Sequence, residues 1–216
     1  MEHNGHFIVY SDLLKNYIKD RHPQVFVVAS VIKPIMRFQG PNRIETATAE
    51  NETNYYNELI KDYDMVVVRP EYSKYILSEN PELINNLSKI EILTNSHCMA
   101  NCKNAPNHYK LISKYFHKDI NTPFNCVRNM HPLEKINNSL LSTNVHPPET
   151  IRKLIQAGIK NLKIQGRANN TPIDSMLTII CHKMFNTEEN YDFLFNTLIQ
   201  CELAGELKRY YQAINT

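Results

Sequence analysis

Apolar and polar positions alternate along the chain in blocks that predict strands and helices in turn. Residues 25–32 form a nearly continuous β-branched run, the pattern of a strand buried on both faces. Residues 64–69 repeat it and end at Pro70, and residues 89–95 give a third strand. Residues 124–127 form a weak fourth and residues 161–165 a fifth, followed by Gly166 and Arg167. Between them lie helical spacings. Leu13, Leu14, Tyr17 and Ile18 follow a capping Ser11 or Asp12, and Tyr55, Tyr56, Leu59 and Ile60 mark a helix over residues 51–62. Further helices are predicted over 107–117, 171–185 and 190–203. Another opens at Pro147-Pro148 and runs to Ala157, with Gly158 as its C-terminal cap. Residues 34–50, with Pro34, Gly40 and Pro41, read as a loop, and 71–87 as mixed helix and turn.

Alternating buried strands and helices imply βαβ units and a parallel sheet, closed as a (β/α) barrel or open and doubly wound. The chain has 216 residues. A whole eight-stranded barrel takes about 250 residues, and only five or six strands are visible. The expectation is a single α/β domain over 1–216, an incomplete parallel (β/α) barrel. It is either a fragment of a longer barrel or a reduced one that a partner chain completes.

Composition narrows the function. The formal net charge is +2, too balanced to signal a nucleic-acid surface. No apolar run reaches the ~18 residues of a membrane span, and the first residues do not read as an export signal. The five Gly form neither GxGxxG nor GxxxxGK[ST], which argues against a Rossmann or P-loop nucleotide site. Five Cys, an odd number, fit a reducing, cytoplasmic setting better than a disulfide framework.

Chemistry in such sheets gathers just past the carboxyl ends of the strands. That rule selects Ser30, Lys33, Arg69, Glu71, Asn95, His97, Cys98, Cys102, Arg128, His131, Lys163, Gln165 and Arg167. Strand parity puts Lys163, Gln165, Glu91 and Asn95 together on the face opposite Ile90, Ile92, Leu162 and Ile164. A Lys and a Glu there must pair, either as a structural ion pair or as part of a site. Cys98 and Cys102 form a C-x3-C, with His97 adjacent, His108 close by and Cys126 after the next strand. Three or four thiolates hold an iron–sulfur cluster, and three with one His (His97 or His108) hold zinc. Position 105 is Ala, so the C-x3-C-x2-C of a radical-SAM site is not formed. A Cys98 nucleophile and three plain buried thiols stay open as alternatives. Cys181 and Cys201 read as helix core.

The stretch 148–167, a helix ending in Ala157-Gly158 and then Leu162-Lys163-Ile164-Gln165-Gly166-Arg167, resembles a signature of the collagenase-like peptidase U32 family. Cys98-x3-Cys102 is similar to that family's cluster-binding loop, and Cys126 to a later family cysteine; the likeness covers roughly residues 60–168. It implies a TIM-barrel-like fold, often with a four-Cys [4Fe–4S] cluster, of which at most three ligands carry over. It also implies oxygen-independent hydroxylation of ubiquinone precursors or RNA bases, or a peptidase-like activity. The substrate groups would be Asn95, Lys163, Gln165 and Arg167. Arg167 offers a fork for carboxylate or phosphate, and Lys163 a point charge or acid–base group. The bottom-up alternative is a zinc-stabilised binding module without catalysis, its ligands Cys98, Cys102, Cys126 and a His such as His108.

Overall fold

The computed structural model describes residues 5–116 and 143–163. Its centre is a five-stranded parallel sheet. Strands β1 (His6–Val9), β2 (Phe26–Ala29), β3 (Met65–Val67) and β4 (Ile90–Leu93) stand side by side in chain order. The fifth neighbour, beside β4, is Asn161–Lys163. Between them in sequence, β5 (Asn95–Met99) and β6 (Thr143–Val145) form a separate antiparallel ribbon, so the fifth strand of the main sheet is β7.

Helices α1 (Asp12–Arg21), α2 (Ile32–Phe38), α3 (Ala49–Asp62), the single turn α4 (Pro70–Tyr72), α5 (Ala105–Phe116) and α6 (Pro148–Ala157) connect them. Ser11 and Gly158 cap their helices as expected, and Thr48 caps α3. Ser11 Oγ accepts the Leu14 N–H at 3.3 Å, and Thr48 Oγ1 accepts that of Asn51 at 3.1 Å. Gly158 ends α6 at φ +112, where only the lack of a Cβ makes the left-handed turn cheap.

The strands alternate as their pattern demands. Val27, Ala29, Val66, Val68, Ile90 and Ile92 enter one core cluster with Tyr56, Leu59 and Ile60 of α3 and Leu154 of α6. Val67, on the opposite side of the pleat, is also fully buried. On that side Lys163 Nζ meets Glu91 Oε2 at 2.9 Å, the pairing that strand parity required. Both side chains keep some contact with solvent.

Some expectations need correction. Residues 34–50 are not all loop, because α2 occupies the first part. Pro34 sits in its first turn, where the missing N–H costs nothing. Asn95 does not extend β4; it opens β5 of the other ribbon. Thr94 is the pivot, its N–H donating to the Lys163 carbonyl at 3.1 Å and its own carbonyl accepting the His146 N–H at 2.8 Å. Of the apolar residues on α1 only Ile18 is buried, and Leu13 is 82% exposed. The strand expected at 124–127 and the helices at 171–185 and 190–203 lie outside the described residues, as do Cys181 and Cys201.

Candidate functional site

At the carboxyl end of β3 the chain reads Arg69-Pro70-Glu71. The proline holds Arg69 extended (φ −61, ψ 140) and opens the α4 turn, so both charged side chains leave the sheet edge within one step of each other. Arg69 is 1% exposed. Its Nε lies 3.5 Å from Glu52 Oε2 on α3 and 3.5 Å from Glu71 Oε2. Tyr56 ties the same corner together, accepting the Arg69 backbone N–H at 3.0 Å and donating its hydroxyl proton to Glu52 at 3.2 Å.

Glu52 and Glu71 share one fully buried guanidinium, with half-buried Lys74 on the Glu71 side, and burying carboxylates is costly. Burial pushes the Glu52 carboxyl up to about 7 against the pull of Arg69. Burial beside Glu52 likewise drives the Tyr56 phenol well above its usual range.

This network grips the C-x3-C segment. Arg69 Nη2 donates to Asn101 Oδ1 at 3.0 Å. Glu71 Oε1 accepts three N–H groups, from Asn101 backbone (2.8 Å), Gln39 Nε2 (3.0 Å) and Asn144 Nδ2 (3.0 Å). Asn101 has φ +54, a left-handed conformation that Asn tolerates better than most residues. On the other side Gly40, at φ +81, lies against the same segment. A Cβ there would stand 3.0 Å from Pro106 Cγ and 3.2 Å from the Lys103 carbonyl. Arg69 Nη1, Gln39 Oε1 and Asn144 Oδ1 are buried without a hydrogen-bond partner among the described residues. Polar groups are costly in such a place, so the anchoring of this one turn is bought with stability.

Cys98 stands on β5 where its pairing with β6 is irregular. Ser96 pairs with Asn144 and Met99 with Thr143, leaving His97 and Cys98 opposite no residue. The backbone at His97 and Cys98 therefore departs from simple strand alternation. Cys102 is a free, half-buried thiol just past the turn. Two cysteines, Cys98 and Cys102, flank one turn whose backbone the protein itself holds. Among the described residues no three His, Cys, Asp or Glu side chains converge as a metal site. Cys126, the third expected thiol, lies outside the described residues, and so do Gln165, Arg167, Arg128 and His131.

His108 lies half-buried on α5, and burial lowers its imidazole below the ordinary value, towards the neutral form that can ligate a metal. Lys33 is committed elsewhere, its Nζ donating to the Tyr10 carbonyl and to Asp12, each at 2.9 Å. His146, which as a sequence reads only as the residue before a helix, is buried. Its Nε2 is 2.8 Å from Ser73 Oγ and its Nδ1 3.1 Å from the Asn144 carbonyl. Burial pushes its imidazole down to about 4.

The strand-end rule selected Arg69 and Glu71. It could not select Gln39, Glu52, Asn101 or Asn144, whose part depends on contacts between distant segments. One weak signal was present: Glu52 lies four residues before Tyr56, which places both on one side of α3.

Comparison with protein-family models, curated proteins and solved structures finds no match. No helix among the described residues is long and apolar enough to cross a membrane.

Proposed function

We propose that this chain is a U32-peptidase-like barrel protein that carries an iron–sulfur group on Cys98, Cys102 and Cys126 and acts as an enzyme or accessory protein of that class. The reaction class is oxygen-independent hydroxylation or peptidase-like cleavage. One observation carries the reading: the Cys98–Cys102 turn sits at the carboxyl edge of a parallel sheet and is clamped there by buried Arg69 and Glu71 through Asn101.

The sheet order supports closure towards a barrel, since β1, β2, β3, β4 and β7 follow one another without the reversal of a doubly wound fold. In this reading Asn95, Lys163, Gln165 and Arg167 surround the substrate. Glu91 holds the Lys163 ammonium in place, and Arg167 grips a carboxylate or phosphate. The bound cluster supplies single-electron chemistry. A partner chain completes the barrel beside β1, whose only neighbour among the described residues is β2.

A second reading, a zinc-stabilised non-catalytic module, draws on His108 as a neutral imidazole near the thiol turn in sequence. Anaerobic purification followed by iron, sulfide and zinc analysis separates the two. Iron and sulfide with a brown visible spectrum, lost in Cys102→Ser, is the expected result. One zinc per chain, removed together with the fold by a chelator, would replace it with the second reading. A colourless, metal-free protein would end both.

A further inference from the structure

Away from the thiol turn, a cleft of about 740 Å³ opens between the end of β1, α2 and α5. Its size falls within the roughly 300–1,000 Å³ of small-molecule sites. Tyr10, Ile32, Met36 and Leu111 give it an apolar lining, and no acidic side chain among the described residues lines it. Lys110 and Lys114 also line it. They are exposed and stand four residues apart on α5, which puts the two ammoniums on one helix face. Like charges so placed repel each other, and neither lysine has an ion-pair partner among the described residues. Lys33, the other cation near Tyr10, is already held by Asp12. The cleft thus combines an apolar body with two adjacent positive charges that have no counter-charge among the described residues.

We propose that this cleft binds a single-chain amphiphile ending in a carboxylate, its tail along Ile32, Met36 and Leu111 and its head between Lys110 and Lys114. Water leaves the apolar lining when the tail enters. The carboxylate's two oxygens match two ammoniums one helical turn apart, and each cation relieves the other's repulsion only when an anion sits between them. A cationic head on the same tail meets the two ammoniums and finds no carboxylate among the described lining residues. The proposal does not depend on the metal group, because none of its residues belongs to the thiol turn or its clamp.

Calorimetric titration with sodium dodecanoate, kept below micelle formation, tests it. Wild-type protein should bind one dodecanoate per chain saturably, and dodecyltrimethylammonium at least tenfold more weakly. The double variant Lys110→Glu/Lys114→Glu changes only exposed helix positions and should lose at least tenfold in dodecanoate affinity with an unchanged circular dichroism spectrum. Met36→Trp, which fills the cleft, should abolish binding. Should that variant fail to fold, the lysine pair still decides the matter. The proposal is overturned by an absence of saturable dodecanoate binding, by equal affinity for the two head groups, or by a double variant that binds like wild type. Co-sedimentation with phosphatidylglycerol vesicles in the absence of dodecanoate binding would overturn it in favour of a membrane surface.

Discussion

Glu52 shows how one residue records its surroundings. Its carboxyl ordinarily titrates at 4.5, and burial inside the molecule raises it to about 7. Between those values the folded chain keeps a proton that the unfolded chain has released. The resulting stabilisation is complete below about pH 4.5 and is lost as the pH climbs through about 7. Glu52→Gln retains an acceptor for Tyr56 and cannot ionise. Its urea midpoint should therefore improve relative to wild type as the pH rises from 4.5 to 7, and the difference should level off above that. His146 acts with the opposite sign. Its buried imidazole falls to about 4, so its contribution is present above the ordinary 6.5 and fades as acid is added. That limb is common to both proteins and cancels in the comparison. A difference that stayed constant with pH would mean that Glu52 is not held in the neutral form.

At the scale of elements, the two left-handed glycines separate strain from collision. Gly158 at φ +112 has nothing nearer than Leu87 Cδ1, 4.0 Å from where a Cβ would sit. Gly158→Ala thus carries backbone strain alone, a loss of about 1 kcal/mol. Gly40→Ala adds contacts at 3.0 and 3.2 Å with the segment that follows Cys102, so thermal or urea unfolding should show a larger loss. The same contrast shows what could be read in advance. Helix α3, helix α6 with its Gly158 cap, and the β2, β3, β4 and β7 strands follow from local spacing, because burial of one face repeats every 3.6 or 2 residues. The Lys163–Glu91 pair follows from parity on neighbouring strands. The antiparallel ribbon and its bulge at His97 and Cys98 did not follow, since β6 lies more than forty residues from β5 and has only three residues. Helix α2 was hidden by Pro34, a residue that breaks a helix interior but not its first turn. Of the clamp, only the part lying on one strand end was legible. The rest is assembled by the fold.

For the molecule as a whole, β1 carries the open question of completion. Phe7 and Ile8 are about half exposed, as are Leu14 and Tyr17 on the helix that follows, an unusual concentration of apolar surface beside an edge strand. If a partner chain completes the barrel there, sedimentation should show an average mass that rises with protein concentration. Ile8→Lys, placed at an already exposed position, should hold the chain monomeric without altering its circular dichroism. A wild-type mass that stays at one chain over the whole range would remove the partner from the picture.

The threefold acceptor at Glu71 Oε1 also sets a schedule. It collects groups from Gln39, Asn101 and Asn144, so its last contributor is synthesised well after Cys102 has left the ribosome's active centre. At translation rates of about 5–20 residues per second, the nascent thiols spend roughly two to eight seconds on a strap that has not yet been cinched. Any oxidant or metal donor that reached these thiols would meet them first in that interval, before the strap is closed.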